Sequence, residues 1–468
     1  MRFPLLSKVA AIGLVMLLLG IVLLRIDGLV AERRARQMQA ATEVEQALSG
    51  PQTLLGPLLH RTCTEAWDVT VGEGKELRHG TEQREFQLTS APRTLQVAGD
   101  LRSEARYRGL FKVNGYTGSV ALKAHWDDLA ALQPVASRVG SRLKCGAVTL
   151  MFSLSDVRGL RSAQLDIDGS PVPVEPGTRH GVYTRGLHAE LPAQASPGGV
   201  DAHLRLQMLG TAALALVPAA GHTDFTLHAD WPHPSFNGRF LPTTRAVNDQ
   251  GFDARWEISS LASAAATEVG RNGEVCRTRA AASGDDGDPN TAAAPSQPHR
   301  ACLDTLGVAF FDPVNPYVLA DRATKYALLF MVLTFGCVAL TEVLAGRRVH
   351  PVQYTLVGLA LALFYLLLLS LSEHIAFDHA YAVASAACVA LLGYYARHML
   401  GHWRAGAAFG AGVALLYGAL WTLLQMEQAA LVIGSTLLFA TLVAVMVLTR
   451  RVNWYTTFGA LRAAPQAG

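Results

Sequence analysis

The chain has 468 residues, of which half are hydrophobic and only 16% are charged. This composition excludes an ordinary soluble protein of this length and indicates that part of the chain lies in a lipid bilayer. The formal net charge of +3 is too small, and the Lys and Arg residues are too scattered, to indicate nucleic acid as a partner. Nearly all charged residues lie between positions 26 and 325, which predicts a polar domain followed by a membrane domain.

The first apolar segment, residues 9–24, begins just after Arg2 and Lys8. No small-residue cleavage site follows it, so the sequence favours a retained signal-anchor helix over residues 1–29, with a cleaved signal peptide as the alternative. Residues 30–48, VAERRARQMQAATEVEQAL, have the spacing of an amphipathic helix that ends at Ser-Gly-Pro.

The long polar region, residues 30–325, is predicted to form a mostly β domain. It contains short, roughly alternating segments such as YTGSVALKAHW and FTLHADW, separated by turns such as IDGSPVPVEPG. Residues 262–300 are rich in Ala, Ser, Gly, Asp and Pro, a composition that buries too little apolar surface to fold. We therefore expect a flexible loop over residues 262–300.

Five further apolar segments follow, at residues 326–344, 354–371, 380–395, 405–424 and 429–448. Most of them approach the ~20 residues that a helix needs to cross a bilayer. Together with the N-terminal anchor they predict an α+β membrane protein with six transmembrane helices. The C-terminal five-helix domain then covers residues 326–455, and residues 456–468 form a tail.

The connectors between these segments predict their orientation. The first and third connectors are basic, whereas the second and fourth are acidic. Because basic connectors remain in the cytoplasm, we expect both termini and the tail to be cytoplasmic. The β domain and the acidic connectors then face outward.

Four cysteines, Cys63, Cys145, Cys276 and Cys302, fall in the outward-facing domain, where three pairings are possible. Cys276 and Cys302 bracket the expected loop, so a bond between them would limit its disorder. We favour the pairs 276–302 and 63–145, with free thiols as the alternative.

Several polar residues are predicted to share the outer membrane face: Asp321, Arg322, Lys325, Glu373, His374 and Glu427. The structural interpretation is interfacial anchoring and ion pairing, in which Glu373 pairs with Arg322 or Lys325 and His374 is a hydrogen-bonding neighbour. The alternative is a polar site for a ligand or an ion. At the inner end of the second span, Glu342 is expected to pair with Arg347 or Arg348.

A metal site is a weaker hypothesis, based on His374, Asp378 and His379, because His374 and Asp378 would share one face of a continuous helix. Neither a metal nor another cofactor is predicted. The sequence contains no GxSxG elbow, no Walker A loop and no GxGxxG fingerprint, so catalysis is not expected.

Several stretches resemble the CreD family of inner-membrane proteins. In the outer domain they are GPQTLLGPLL, RYRGLF, SDVRGL and WPHPSFNGRFLP. In the membrane domain they are FFDPVNPYVLADRATKYALLFMVLTF, HPVQYTLVGLALALFYLLLLSLSEHIAFDHAY and TRRVNWY. The resemblance covers nearly the whole chain, and the long block from HPVQY to SLSEH is the most specific part of it.

The resemblance implies a cell-envelope integrity protein of the Gram-negative inner membrane. Such proteins are typically controlled by the CreBC two-component system, which is linked to envelope stress. The outward side is then the periplasm. The resemblance does not imply a catalytic activity. We expect a non-enzymatic factor whose β domain binds a protein or an envelope component such as a glycan or lipid. The alternatives are a transporter or lipid-handling protein that uses the polar residues at the outer face, and, less favoured, a membrane enzyme.

Overall fold

The computed structural model describes residues 4–450, except residues 72–77, 193–198, 278–300, 303, 311, 313–314, 346–348 and 426–429. The chain divides into two units, each described below by itself. We call the segment Gln39–Pro313 the β unit, and the segments Met1–Met38 and Val314–Gly468 together the helical unit.

The strands of the β unit are β1 Gln52–Val71, β2 Arg78–Ser90, β3 Thr94–Arg108, β4 Phe111–Trp126, β5 Arg142–Cys145, β6 Thr149–Leu154, β7 Leu160–Ile167, β8 Ser170–Val172, β9 Glu175–Pro176, β10 Gly186–Glu190, β11 Val200–Thr211, β12 Ala213–Val217, β13 His222–Ala229, β14 Pro234–Gly238, β15 Thr244–Asn248, β16 Gly251–Ser259, β17 Cys276–Arg277, β18 Ala301–Cys302 and β19 Leu306–Phe310. The helices of the chain are α1 Pro4–Ala47, α2 Ala265–Gly270, α3 Pro316–Ala345, α4 Pro351–Ser372, α5 Phe377–Leu400, α6 Trp403–Gln425 and α7 Ala430–Thr449.

Two large sheets make up the β unit. The first has the order β14-β19-β12-β1-β6-β10-β9, and β2 and β5 also pair with β1. The second has the order β15-β16-β13-β3-β4-β11-β7-β8. Neighbouring strands are antiparallel except for β1 with β12 and β3 with β13, which are parallel. Strands β17 and β18 form a separate ladder.

The alternation of β11, VDAHLRLQMLGT, explains why the sheets pack face to face. Its apolar residues are buried while the polar residues between them are exposed, because successive side chains of a strand point to opposite faces. Leu204 of β11 lies in one core with Leu54 of β1 and Phe152 of β6. The β unit is therefore a sandwich around this core.

The first sheet is also covered on its other face. Leu55 and Leu58 of β1 pack there against Val269 of α2 and against Val275. Burial on both faces explains the continuous apolar run TLLGPLL, since a strand with one wet face would alternate.

Residues 262–300 were expected to form a flexible loop, but the start of this segment is folded. There, Ala265 and Val269, one helical turn apart in α2, present a small apolar side to the first sheet. The Ala-rich composition concealed this short pattern. Residues 278–300 lie outside the described part of the chain.

The structure contains the predicted bond between Cys63 and Cys145, which lie opposite each other in β1 and β5 with their Cα atoms 4.0 Å apart. The register of β17 and β18 places Cys276 opposite Cys302. A bond between these two residues stays a prediction, now supported by their pairing.

Within the described part of the chain, five helices, α1 and α3 to α6, are long and apolar enough to cross a membrane, and α7 contains a shorter apolar stretch, Gly434–Val447. An N-terminal apolar helix, a large β domain and a following set of apolar helices confirm the predicted α+β fold class. The main difference is in α1, which is one continuous helix over the two predicted segments at residues 9–24 and 30–48.

The start of α3 explains why the β unit ends earlier in the chain than predicted. Asn315 caps this helix, since its side-chain Oδ1 accepts a hydrogen bond from the backbone N–H of Tyr317 at 3.1 Å, and Pro316 begins the first turn. The helix therefore begins ten residues before the predicted position 326. The β unit spans residues 39–313 rather than 30–325.

Candidate functional site

A group of polar side chains lies in the helical unit, where α1 passes the start of α3 and the end of α4. Glu373 follows the last residue of α4, and its Oε1 is 3.5 Å from Nε of Arg33 on α1. The Tyr317 hydroxyl of α3 also hydrogen-bonds Glu373. The Glu373 side chain is only 10% exposed, and its Oε1 accepts no hydrogen bond from any described group. We call these residues and their polar neighbours the Glu373 cluster: Asp27, Arg33, Arg34, Tyr317, Asp321, Thr324, Lys325 and Glu373.

Asp321 is the second anion of this cluster. Its Oδ2 lies 3.6 Å from Nη1 of Arg34 and 2.9 Å from Nζ of Lys325, one turn along α3. Thr324 donates its hydroxyl to Oδ1 of Asp27 at 3.0 Å. Charges of opposite sign thus face each other throughout the cluster, which limits the cost of holding them at a partly dry position.

The structure shows a partner of Glu373 that was not predicted. Glu373 pairs with Arg33, and Lys325, one of the two predicted partners, pairs with Asp321. The reason is the continuity of α1, which carries the run RRAR past the ends of α3 and α4. The sequence alone placed those arginines in a separate amphipathic helix.

His374 and Asp378 do not join the cluster. His374 is exposed in the turn between α4 and α5, and Asp378 lies in the first turn of α5, where it accepts a hydrogen bond from Gln425 at 3.2 Å. Because α4 ends at Ser372, His374 and Asp378 do not share a helical face, so the geometry behind the metal hypothesis is absent here. Glu427 lies outside the described residues. Among those described, no three His, Cys, Asp or Glu side chains are arranged to hold a metal ion.

We expect the Arg33–Glu373 pair to stabilise the helical unit. Glu373→Gln should lower the free energy of unfolding by roughly 1–2 kcal/mol, because it leaves a half-buried guanidinium without its anion. The exchange Arg33→Glu with Glu373→Arg should recover part of this loss. Thermal unfolding of the full chain in detergent measures both effects.

The control uses the exposed pair Glu32–Arg36 on the same helix. Arg36→Gln should change the stability by less than ~0.5 kcal/mol, since an exposed pair at this spacing contributes little. Equal losses in Arg36→Gln and Glu373→Gln would contradict a specific role for the Glu373 pair.

A smaller polar group lies elsewhere in the helical unit. Glu342 of α3 forms an ion pair with Lys8 of α1 and accepts a hydrogen bond from the Tyr354 hydroxyl of α4 at 3.2 Å. The predicted partners, Arg347 and Arg348, lie outside the described residues. Glu342 therefore ties three helices together.

Three histidines are buried among the described residues of the β unit, and sequence patterns gave no sign of them because they lie far apart in the chain. His60 is on β1, His188 is on β10, and His180 lies in the loop before β10. The ring centroids of His60 and His180 are 5.4 Å apart. We call His60, His180 and His188 the histidine cluster.

Hydrogen bonds assign the neutral form to two of these rings. Nδ1 of His60 accepts from the Gln87 side-chain amide at 3.0 Å, so its Nε2–H donates to the carbonyl of Thr178 at 2.9 Å. Nδ1 of His180 faces two backbone N–H groups, those of residues 182 and 183, at 3.1 and 3.3 Å. Its Nε2–H then points to the hydroxyl of Thr89 at 3.0 Å. A proton on either Nδ1 would meet donors rather than an acceptor.

Burial lowers the pKa of His60, and it lowers the pKa of His180 to about 4, with the nearby His60 ring as a further cause for His180. His188 has a carboxylate close by, since its Nε2 is 3.3 Å from Oε2 of Glu175. Arg179 also acts on His60 and lowers its pKa further.

The β unit should lose stability in mild acid. A folded-state pKa below the ordinary value of 6.5 means that the neutral ring stabilises the fold, so this contribution is complete above pH 6.5 and falls as the pH drops towards 4. We expect a loss of roughly 2 kcal/mol across this window. Chemical denaturation of the full chain at several pH values measures it.

His180→Gln should flatten this dependence between pH 6.5 and 4, whatever its cost at neutral pH. His203→Gln is the matched control, because it makes the same substitution at an exposed position of β11. Parallel pH profiles for the parent chain and His180→Gln would remove the histidine cluster as the cause.

Comparisons with known proteins identify the family. The family model described as "Inner membrane protein CreD" matches residues 4–455. The inner membrane protein CreD of Escherichia coli (strain K12) is 32% identical over 457 residues, which cover 97% of this chain and 95% of that protein.

Solved structures add nothing to this assignment. Native leukotriene A4 hydrolase from Saccharomyces cerevisiae aligns with a TM-score of 0.19 and 12% identity, over 35% of this chain and 26% of the hydrolase. The yeast hydrolase with bestatin gives 0.18 and 12%, over 34% and 25%. The chain thus spans about a quarter of these enzymes, and the scores are too low to indicate a shared fold. The sequence match, in contrast, extends over almost the entire chain, which belongs to the CreD family of inner membrane proteins.

Proposed function

We propose that this protein is a non-enzymatic envelope factor that holds the β unit at the periplasmic face of the inner membrane. There the β unit binds a partner protein by adding a strand of that partner to the second sheet at β15. The supporting observation is the open edge of that strand.

Among the described strands, β2 and β5 pair with β1 alone and so form further edges of the first sheet, without a proline. Four strands end the two sheet orders: β14, β9, β15 and β8. Three of them contain a proline: Pro234 in β14, Pro176 in β9 and Pro171 in β8. Proline lacks a backbone donor and so blocks the addition of another strand. Strand β15, TRAVN, contains no proline, and all five of its residues are exposed.

The surroundings of β15 fit a peptide segment. A groove of about 460 Å³ beside it is lined by residues of β13, β15 and β16, among them Thr226, His228, Asp253 and Arg255. Backbone groups of an edge strand supply affinity in this recognition mode, and neighbouring side chains supply specificity. Charged groups of both signs along the groove would select the partner.

A second candidate is a transporter or lipid-handling protein that uses the Glu373 cluster. The buried Oε1 of Glu373, which accepts no hydrogen bond from the described chain, favours it. The pairing of Arg33, Arg34 and Lys325 with carboxylates disfavours it, because a ligand would have to displace those contacts.

Photo-crosslinking in living cells tests the strand-addition proposal. A photoreactive amino acid at Val247 of β15, which is 48% exposed, should give one defined protein adduct. The same amino acid at Val139, exposed in the loop before β5, is the control and should not give that adduct. Identical adduct patterns at both positions, or no protein adduct at Val247, would contradict the proposal.

The proposed orientation has its own test. Alkaline phosphatase fused after Gly99 should be active, because the enzyme folds only outside the cytoplasm, and fusions after Arg348 or Arg451 should be inactive. Activity after Arg348 would reverse the orientation and remove the periplasmic setting of the β unit.

A further inference from the structure

The hairpin between β3 and β4 extends beyond the second sheet. β3 pairs with β13 only as far as Leu101, and β4 pairs with β11 only from Gly115 onward, in the described chain. Between these positions the ladder joins β3 to β4, and Gly109 and Leu110 form the turn. We call residues 102–113 the β3–β4 ribbon.

The ribbon lies beside the part of α1 that belongs to the β unit. At its base, Gly115 pairs with Thr211, whose backbone N–H donates to the carbonyl of Gly50 at 3.4 Å. Near its tip, Nε of Arg108 lies 2.9 Å from Oε2 of Glu43. From the base of the ribbon to its tip, the neighbouring residue thus changes from Gly50 to Glu43 of α1.

The other strand of the ribbon contacts the C-terminal end of the chain segment that forms the β unit. Nζ of Lys112 is 3.4 Å from Oδ2 of Asp312, next to the last residue of the unit. Glu43 lies close to its first residue, Gln39. The ribbon therefore lies where the chain enters and leaves the β unit, and both of these chain ends continue into apolar helices, α1 and α3.

The tip has the composition of a membrane interface. Tyr107 is 67% exposed and Leu110 is 57% exposed, and the sequence around them, RYRGLFK, adds Arg106, Arg108 and Lys112. Tyrosine places an apolar ring and a polar hydroxyl at such a boundary, and arginine and lysine extend their charges to the headgroups. Part of this charge is already neutralised, for example by Glu104, which is 2.7 Å from Arg106. Apolar contact therefore contributes more than charge to the attraction between the tip and a bilayer.

We propose that the tip of the β3–β4 ribbon inserts into the headgroup region of the phospholipid bilayer. Tyr107 and Leu110 enter the interface, and Arg106 lies near lipid phosphates. The ribbon thus makes a bilayer contact of the β unit in addition to its two chain connections. The inference does not depend on partner binding at β15.

Spin labelling of the full chain tests this contact. Leu110→Cys, labelled with a nitroxide and reconstituted in nanodiscs of phosphatidylethanolamine and phosphatidylglycerol, should be more accessible to oxygen than to a water-soluble nickel complex. Tyr107→Cys repeats the measurement at a second position. The parent chain, treated in the same way, measures any label on the free thiols Cys337 and Cys388.

The matched control is Val247→Cys on the distant edge strand β15, with similar exposure of 48%. Its label should favour the nickel complex, as a water-exposed site does. A nickel preference at Leu110 equal to that of the control would overturn the proposal. Low accessibility to both reagents would also overturn it, because the tip would then be covered by protein rather than lipid.

Discussion

Gly406→Leu should abolish stable packing of α5 against α6, with a loss of about 3 kcal/mol or more. A Cβ atom at Gly406 would lie 2.7 Å from Cα and N of Arg397, so the obstacle is backbone that cannot rotate away. Further along the same helices, the Cβ position of Gly410 lies only 3.5 Å from Cα of Gly393. Small residues allow such close approach of helices in a membrane, where dispersion contacts replace the hydrophobic effect.

Size-exclusion chromatography and thermal unfolding in detergent measure this loss. Gly412→Leu on the same helix is the control, because no described atom lies within 4 Å of its Cβ position. It should behave like the parent chain. Equal stability of the two variants would contradict the expected role of Gly406 in the packing of α5 against α6.

Cys145→Ser should destabilise the β unit by about 2–5 kcal/mol, because the bond to Cys63 closes a long loop, with a sequence separation of 82. The same region has a second attachment, since the buried carboxylate of Glu65 accepts hydrogen bonds from Ser137 and Ser141. These bonds lower the pKa of Glu65 to about 2. The attachment should keep the variant folded at low temperature.

Chemical denaturation of the full chain compares Cys145→Ser with Cys337→Ala, which removes a free thiol of the helical unit and should leave the β unit unchanged. Reductant should destabilise the parent chain more than Cys145→Ser, and any residual effect in the variant reports on Cys276 and Cys302. An unchanged midpoint in Cys145→Ser would contradict the expected contribution of the bond.

The helices were predictable because their signal is local. Long apolar runs require no knowledge of neighbours, and the segment predicted at 354–371 differs from α4, Pro351–Ser372, by a few residues. The HPVQ sequence before it forms a capping box in which His350 and Gln353 exchange side-chain and backbone hydrogen bonds.

The site was less predictable because its contacts join distant parts of the chain. From the sequence, Glu373 was expected at the same membrane level as other polar residues, and the cations of α3 nearest to that level were predicted as its partners. The observed partner Arg33 is 340 positions away in the chain, since 373 − 33 = 340. The histidine cluster shows the same limit, because Gln87 and Thr89 supply its hydrogen bonds from a strand that no periodicity connects to His60 or His180.

Strand β1 has a consequence for the order in which the β unit assembles during synthesis. It is the first strand made, yet its parallel partner β12 joins it through Gln52 and Leu214, and β19 then extends β12 through Val308 and Leu214. Pairing across such separations makes folding slow, because the chain entropy must be lost before the contacts form. The edge of β1 that pairs with β12 therefore stays open while more than a hundred residues emerge. A nascent chain of this kind would depend on holdase chaperones, and truncation before β12 should leave β1 prone to aggregation.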